Sequence, residues 1–303
     1  MTFRRPLDRA SLIAVLLFLV LSMVCLFTGL GGLALILMPV PFIVWQVRQG
    51  FSMMGPMAAA LTVVLVMSGF SLLVILLVPG IYFLGWAMGE ALKEGKGTPP
   101  YWALISGTLV FVMLGTVILA YLRYKGVNIE ASLAQEAKRS LTDYRVFLPS
   151  TNPAQLQQWS QTMAQRMQML LPGFLITLAV LLSALNLRLA AWILRPQPMV
   201  PSLLSGWHMP TSAVWIYVLA TLGVLTGKPG ETSLLWQAVN NATFVAGFLF
   251  GIQGLAFLWR RIPPRRQHPL WLVPMIAPAL VLGSIYILLG LVDVMVQVRK
   301  KNP

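Results

Sequence analysis

Acidic residues are scarce in this 303-residue chain: 8 Asp and Glu stand against 22 Lys and Arg, and charged residues of both signs reach only 10%. A soluble domain of this length carries about a quarter charged residues, so the composition excludes one. Cysteine occurs once, at Cys25 inside an apolar run, which excludes an intramolecular disulfide framework and a cysteine metal site. The two histidines, His208 and His268, each flank the start of an apolar segment beside Trp or Pro and read as interfacial. There is no Walker loop, no HExxH, no nucleophile elbow and no glycine fingerprint between strand and helix. Neither catalytic residues nor a cofactor nor a metal is expected, and an enzyme is not. Glu90 and Asp293 are fewer acids within apolar segments than a proton pump or ion exchanger needs.

What is present is apolar. Hydrophobic residues make up 58% of the chain and mean hydropathy is +0.79, the signature of a multi-pass membrane protein. The net charge of +14 does not point to nucleic acid, because the basic residues fall in short clusters between apolar runs, as membrane orientation requires. The expected fold is all-α: one integral membrane domain over 1–303, a polytopic transmembrane helix bundle of eight to nine spans. Its first macromolecular partner is the lipid bilayer. A hydrophilic insert, 125–168, precedes the sixth span.

The N-terminus places Arg4, Arg5 and Arg9 before an apolar core that continues to Leu30 without a convincing cleavage site. This reads as a retained first span, Ser11 to Gly29, that directs the chain to the bacterial inner membrane with a cytoplasmic N-terminus. The second, Leu33 to Val47, carries Pro39 and Pro41 and should be kinked or partly unwound. Phe51 to Glu90 is long enough for two spans, with a turn near Ser68, Gly69 and Ser71 and a small-residue patch at Ala58, Ala59 and Ala60 for close helix packing. Glu90 is either an intramembrane carboxylate or an interfacial partner of Lys93. Tyr101 to Tyr124 is the fifth span. In the insert, Leu156, Trp159, Met163, Met167 and Leu170 form one stripe opposite Gln157, Gln158, Gln161 and Gln165, an amphipathic helix that serves as a surface helix or a lid.

Leu170 to Leu194 is the sixth span and carries Asn186 and Arg188. Thr211 to Leu225 is the seventh, Ala238 to Arg261 the eighth and Leu270 to Val294, with Pro274 and Pro278, the ninth. Nine spans put the clusters from Arg4 to Arg266 inside but leave Arg299, Lys300 and Lys301 outside, against the positive-inside rule. Eight spans require one segment not to cross.

The eighth segment is the most informative. Asn240, Phe244, Gly247, Gly251, Gly254 and Leu258 share one helical face, and Gly247 with Gly251 forms a GxxxG pair that lets another backbone approach closely. Asn240, Asn241 and Gln253, with Asn186 and Glu90 elsewhere, are the candidate ligand-binding residues, since unpaired amides are costly in hydrocarbon. The competing reading is helix packing in which the amides bond to neighbours.

LLPGFLITLAVLLSALNLRLAAWILR, the GWHMP entry to the next span and NNATFVAGFLFGIQGLAFLWRR resemble the YybS-like family of bacterial membrane proteins, a domain of unknown function. The PVP element and the GPMAAAL opening are compatible with it. That family is similar, at a distance, to the substrate-binding S subunits of energy-coupling factor transporters and to the rod-shape protein MreD. The resemblance implies six helices that bind a small solute without an ATPase of their own, although the AxxxA docking spacing of S subunits is not clean here. Two functions follow: a small-solute binding or transport subunit, or a membrane scaffold for envelope or division proteins like MreD. A transmembrane protein partner or a homo-oligomer fits either, and a small-molecule ligand fits the first.

Overall fold

The computed structural model describes residues 8–50, 54–67, 69, 74–93, 101–129, 131–132, 135–136, 139, 153–194, 204, 207–227, 233–263 and 271–301. Among them the regular structure is α-helical. The elements are α1 (Arg9–Phe27), α2 (Gly31–Leu37), α3 (Pro39–Gln49), α4 (Met54–Met67), α5 (Val74–Lys93), α6 (Tyr101–Tyr124), α7 (Pro153–Met169), α8 (Leu171–Leu194), α9 (Thr211–Thr226), α10 (Leu234–Arg261), α11 (Leu272–Val281) and α12 (Gly283–Lys301). By length and apolarity, five of the described segments suit a membrane crossing: α1, α2 with α3, α6, α8 and α10. A sixth is added if α11 and α12 count as one bent pair. Two shorter apolar helices, Gly55–Met67 and Thr211–Thr226, lie below that length. Eight to nine full spans are thus more than these helices supply. Arg4, Arg5, Lys96, Arg195, Arg265, Arg266 and His268 lie outside the described residues.

The chain forms two compact units, 1–118 with 178–206, and 119–177 with 207–303. In the first, Phe18 and Leu21 of α1, Met38, Phe42 and Trp45 at and beyond the proline break, Leu61 and Leu65 of α4 and Ile81 of α5 form a buried apolar core. The expected break in the second span is present: α2 ends at Leu37 and α3 restarts with Pro39. Pro39 and Pro41 have no N–H to return to the preceding turn, and Pro39 sits where a new helix tolerates that loss. This segment is also the most buried of the candidate spans. Hydrocarbon punishes unpaired backbone, so the break is placed where protein covers it.

α3 and α5 run parallel at close range. A β-carbon on Gly85 would overlap Phe42, and one on Gly89 would stand 2.6 Å from the Gln46 side chain, so contacts advance four residues on both helices. At one end of this unit Arg48 collects three helix termini. Its Nε lies 3.2 Å from Asp8, the N-cap of α1, and its Nη2 donates at 3.1 Å to the carbonyl of Leu194, the last residue of α8. α3, α5 and α8 therefore run in one direction and α1 against them.

In the second unit α10 and α12 pack most intimately. β-Carbons on Gly254 and Gly290 would overlap the carbonyl oxygens of Tyr286 and Phe250 respectively. The pair is parallel. Were it antiparallel with Gly290 beside Phe250, Asp293 would lie opposite Gly247 and about 20 Å along the axis from Arg260, beyond a guanidinium's reach. Arg260 instead meets Asp293 directly. The C-terminal tail thus emerges at the same end as Arg260 and Arg261. The ninth segment does not cross as one helix: α11 and α12 meet at a 110° bend at Leu282, with the Tyr286 hydroxyl donating to the Met275 carbonyl at 2.7 Å across it. The bend corrects the single ninth span expected from Leu270 to Val294 and brings the basic tail back to the basic end of α10.

Candidate functional site

The buried polar centre of the second unit is Asp293 on α12. Arg260 Nη2 donates to its Oδ2 at 2.5 Å, Gln297 Nε2 to the same atom at 2.8 Å, and Gln253 Nε2 makes a third bond to it. Gln253 and Arg260 are two helical turns apart, so α10 presents both on one face. Gln253 is wholly buried and Asp293 nearly so. Each also reaches an irregular stretch: Gln253 Oε1 accepts from the Met209 N–H at 3.1 Å, and Arg260 Nη1 donates to the Trp207 carbonyl at 3.1 Å. Residues 207–210 form no regular secondary structure and end in Pro210, the N-cap of α9. Gln253 and Arg260 bond the Met209 N–H and the Trp207 carbonyl that no helix ladder pairs here.

Two features leave this centre chemically incomplete among the described residues. All three donors converge on Oδ2, and none reaches Oδ1. The Trp207 indole Nε1 is buried with no hydrogen-bond partner there. The described residues contain no cluster of three or more His, Cys, Asp or Glu suited to a metal.

The other sequence candidates go elsewhere. Asn241 is spliced into a helix. Its Oδ1 accepts the Gly173 N–H at 2.6 Å and its Nδ2 donates to the Met169 carbonyl at 2.8 Å, the two groups that a continuous helix would bond to each other. Asn240 Nδ2 bonds back to Trp236 in its own helix at 2.8 Å. In the first unit, Asn186 Nδ2 donates to the Leu182 carbonyl and, at 3.1 Å, to Ile36 beside the α2–α3 break, while its Oδ1 is buried without a partner among the described residues. Glu90 accepts from Gln46 Nε2 at 2.7 Å and pairs with Lys93 at 3.2 Å, so it is partnered at the end of α5. It lies in a different unit from Asp293.

Of the packing residues, Gly254 makes the close approach expected of the glycine face. Gly247 is buried in ordinary contact with Ile287 and Tyr217, whereas Gly251 meets nothing. Ala58 packs on the α4 side of the apolar core, and Ala59 and Ala60 are exposed. Asp293 is visible in the sequence as an acid in an apolar run, but its partners are not. An acid in an apolar run was the available signal. Its pairing with residues 33 and 40 positions earlier was not, because no helical spacing links them.

A family described as "Predicted membrane protein (DUF2232)" matches residues 12–294. The chain is 28% identical over 270 residues to "Uncharacterized protein YybS" of Bacillus subtilis (strain 168), covering 84% of each protein. No solved structure matches it. These similarities carry the YybS-like resemblance and do not extend to S subunits or MreD. With several apolar helices of spanning length and a match over nearly its whole length, this chain belongs to the DUF2232 family of multi-pass membrane proteins.

Proposed function

We propose that this protein binds or transports a small polar solute in the bacterial inner membrane, with Asp293, Arg260 and Gln253 at its working centre. The observation that carries this reading is the buried ion pair beside irregular backbone at residues 207–210. Charges inside helical membrane bundles are expensive, and irregular backbone beside them is a recurrent form of solute site. The solute offers a donor to Asp293 Oδ1, the oxygen that Arg260, Gln253 and Gln297 do not reach. Positive-inside placement puts the N-terminus and the Arg260–Arg261 end in the cytoplasm. The resemblance to S subunits read from the residues supports the same reading by analogy alone.

A scaffold role, like that of MreD, rests on a different observation: Gly251 meets nothing among the described residues, and Ala59 and Ala60 are exposed, so small residues are left open to a partner helix. One experiment separates the two. The tagged protein is purified in mild detergent, and its co-purifying small molecules and proteins are identified by mass spectrometry. A retained solute that is lost in Asp293→Asn, purified as a folded, monodisperse protein, supports the binding reading. Envelope or division proteins without any solute sink it in favour of the scaffold.

A further inference from the structure

We propose that α7 lies on the bilayer surface with Trp159, Met163 and Met167 seated at the boundary between headgroups and acyl chains, and that Asn241 sets the turn from this surface helix into span α8. The stripe is uncovered by protein: Trp159, Met163 and Met167 are 54%, 49% and 45% exposed. They recur every four residues, so they share a face, and Gln158, Gln161 and Gln165 lie off it and are exposed too. Large apolar side chains left in water at helical spacing call for a cover.

The bilayer is the cover within reach. α7 ends at Met169 and α8, a 24-residue candidate span, begins at Leu171. A stripe ending at Met167 is therefore within about one turn of the membrane boundary, at 1.5 Å per residue. The polar face carries glutamines, Arg166 stands two turns after Trp159 at the edge of the stripe, and no acidic side chain along α7 repels anionic headgroups. Trp and Met opposite a polar face is the composition of a helix that lies in the interface.

The joint falls at Leu170, the one residue between α7 and α8. Leu170 and Phe174 retain their bonds to Arg166 and Leu170, so the ladder is intact on one side. Pro172 brings no N–H, and the next bond, Gly173 to Met169, is replaced by the Asn241 amide. An amide inserted between N–H and C=O opens the ladder on that side, the kind of insertion that kinks a helix, and this is where the proposed turn is placed. Gly173 is required because a β-carbon would stand 2.8 Å from Asn241 Oδ1.

The test uses the full chain in nanodiscs of mixed phosphatidylcholine and phosphatidylglycerol. Cys25, the single cysteine, is changed to Ala and new cysteines are placed singly as Met163→Cys and Gln161→Cys, each labelled with an environment-sensitive dye. Lipids with a nitroxide near the headgroup should quench the dye at 163 at least about threefold more than at 161, as an interfacial helix requires. Equal quenching at both sites, or dye at 163 shielded by a second copy or another protein and not by lipid, overturns the surface assignment. In Asn241→Ala, or in Gly173→Ala if the first does not fold, the Gly173 N–H can return to Met169 and the difference between 163 and 161 should collapse. An undiminished difference in a folded variant overturns the role of Asn241.

Discussion

Gly254 and Tyr286 touch backbone to backbone: the Tyr286 carbonyl oxygen occupies the space where a β-carbon of residue 254 would stand. The obstacle is main chain in the first turn of α12, so it cannot rotate away as a side chain would. Gly254→Ala should lower stability by about 1–3 kcal/mol, the range for overpacking a filled interior. Gly251→Ala, which meets nothing, should leave it unchanged. Melting temperatures of the two variants in detergent, by fluorescence-detected size exclusion, check this. Equal effects would show that α10 and α12 are not in contact at Gly254.

Removing Arg260 leaves the Asp293 carboxylate nearly buried with two amide donors and no cation. A broken buried pair costs about 3–5 kcal/mol, and partial exposure of Arg260 places this one at or below the low end. Arg260→Gln should therefore lower the melting point more than Asp293→Asn does, since Asn keeps an acceptor for Gln253 and Gln297. The double variant should be more stable than the sum of the two single losses predicts. Strict additivity would mean the pair does not interact in the membrane.

Asp8 gives the first unit an acid-side limit. Burial pushes its carboxyl up, but the hydrogen bonds from the Ser11 hydroxyl and amide and the charge of Arg48 together outweigh that and hold it below its ordinary value. A depressed carboxyl contributes stability that is fully present above the unfolded value, about 3.9, and is lost as pH falls through the folded one. The wild-type melting point should thus fall on acidification below about pH 4 more steeply than that of Asp8→Asn. Parallel curves in a pH series would remove Asp8 from the account.

Parallel packing of α10 and α12 predicts that the chain has the same sidedness after residue 263 and at its end. Reporter fusions to a truncation at 263 and to the full chain should both fluoresce as green fluorescent protein fusions and both be inactive as alkaline phosphatase fusions. Opposite behaviour of the two would require residues 271–301 to cross once.

Class, membrane residence and the approximate limits of most helices were legible in the residues, because each rests on local properties: apolar run length, proline and glycine punctuation, and charge placement. Tyr101–Tyr124 and the break at Pro39 follow from those alone. Amphipathic α7 was legible too, since its stripe repeats within one helix. Partnership was not. An amide in an apolar run reads the same whether it binds a solute, splices a neighbouring helix as Asn241 does, or neutralises a distant acid as Gln253 does. Spacing could nominate Gly247, Gly251 and Gly254 together, but only the approach of α12 selected Gly254. The side of the C-terminus was undecidable by counting hydrophobic segments, because a 110° bend conserves hydrophobicity while reversing direction. The sequence by itself determined which segments must leave water. The tertiary structure decided which of their polar groups satisfy one another, because that depends on distances between helices that no periodicity encodes.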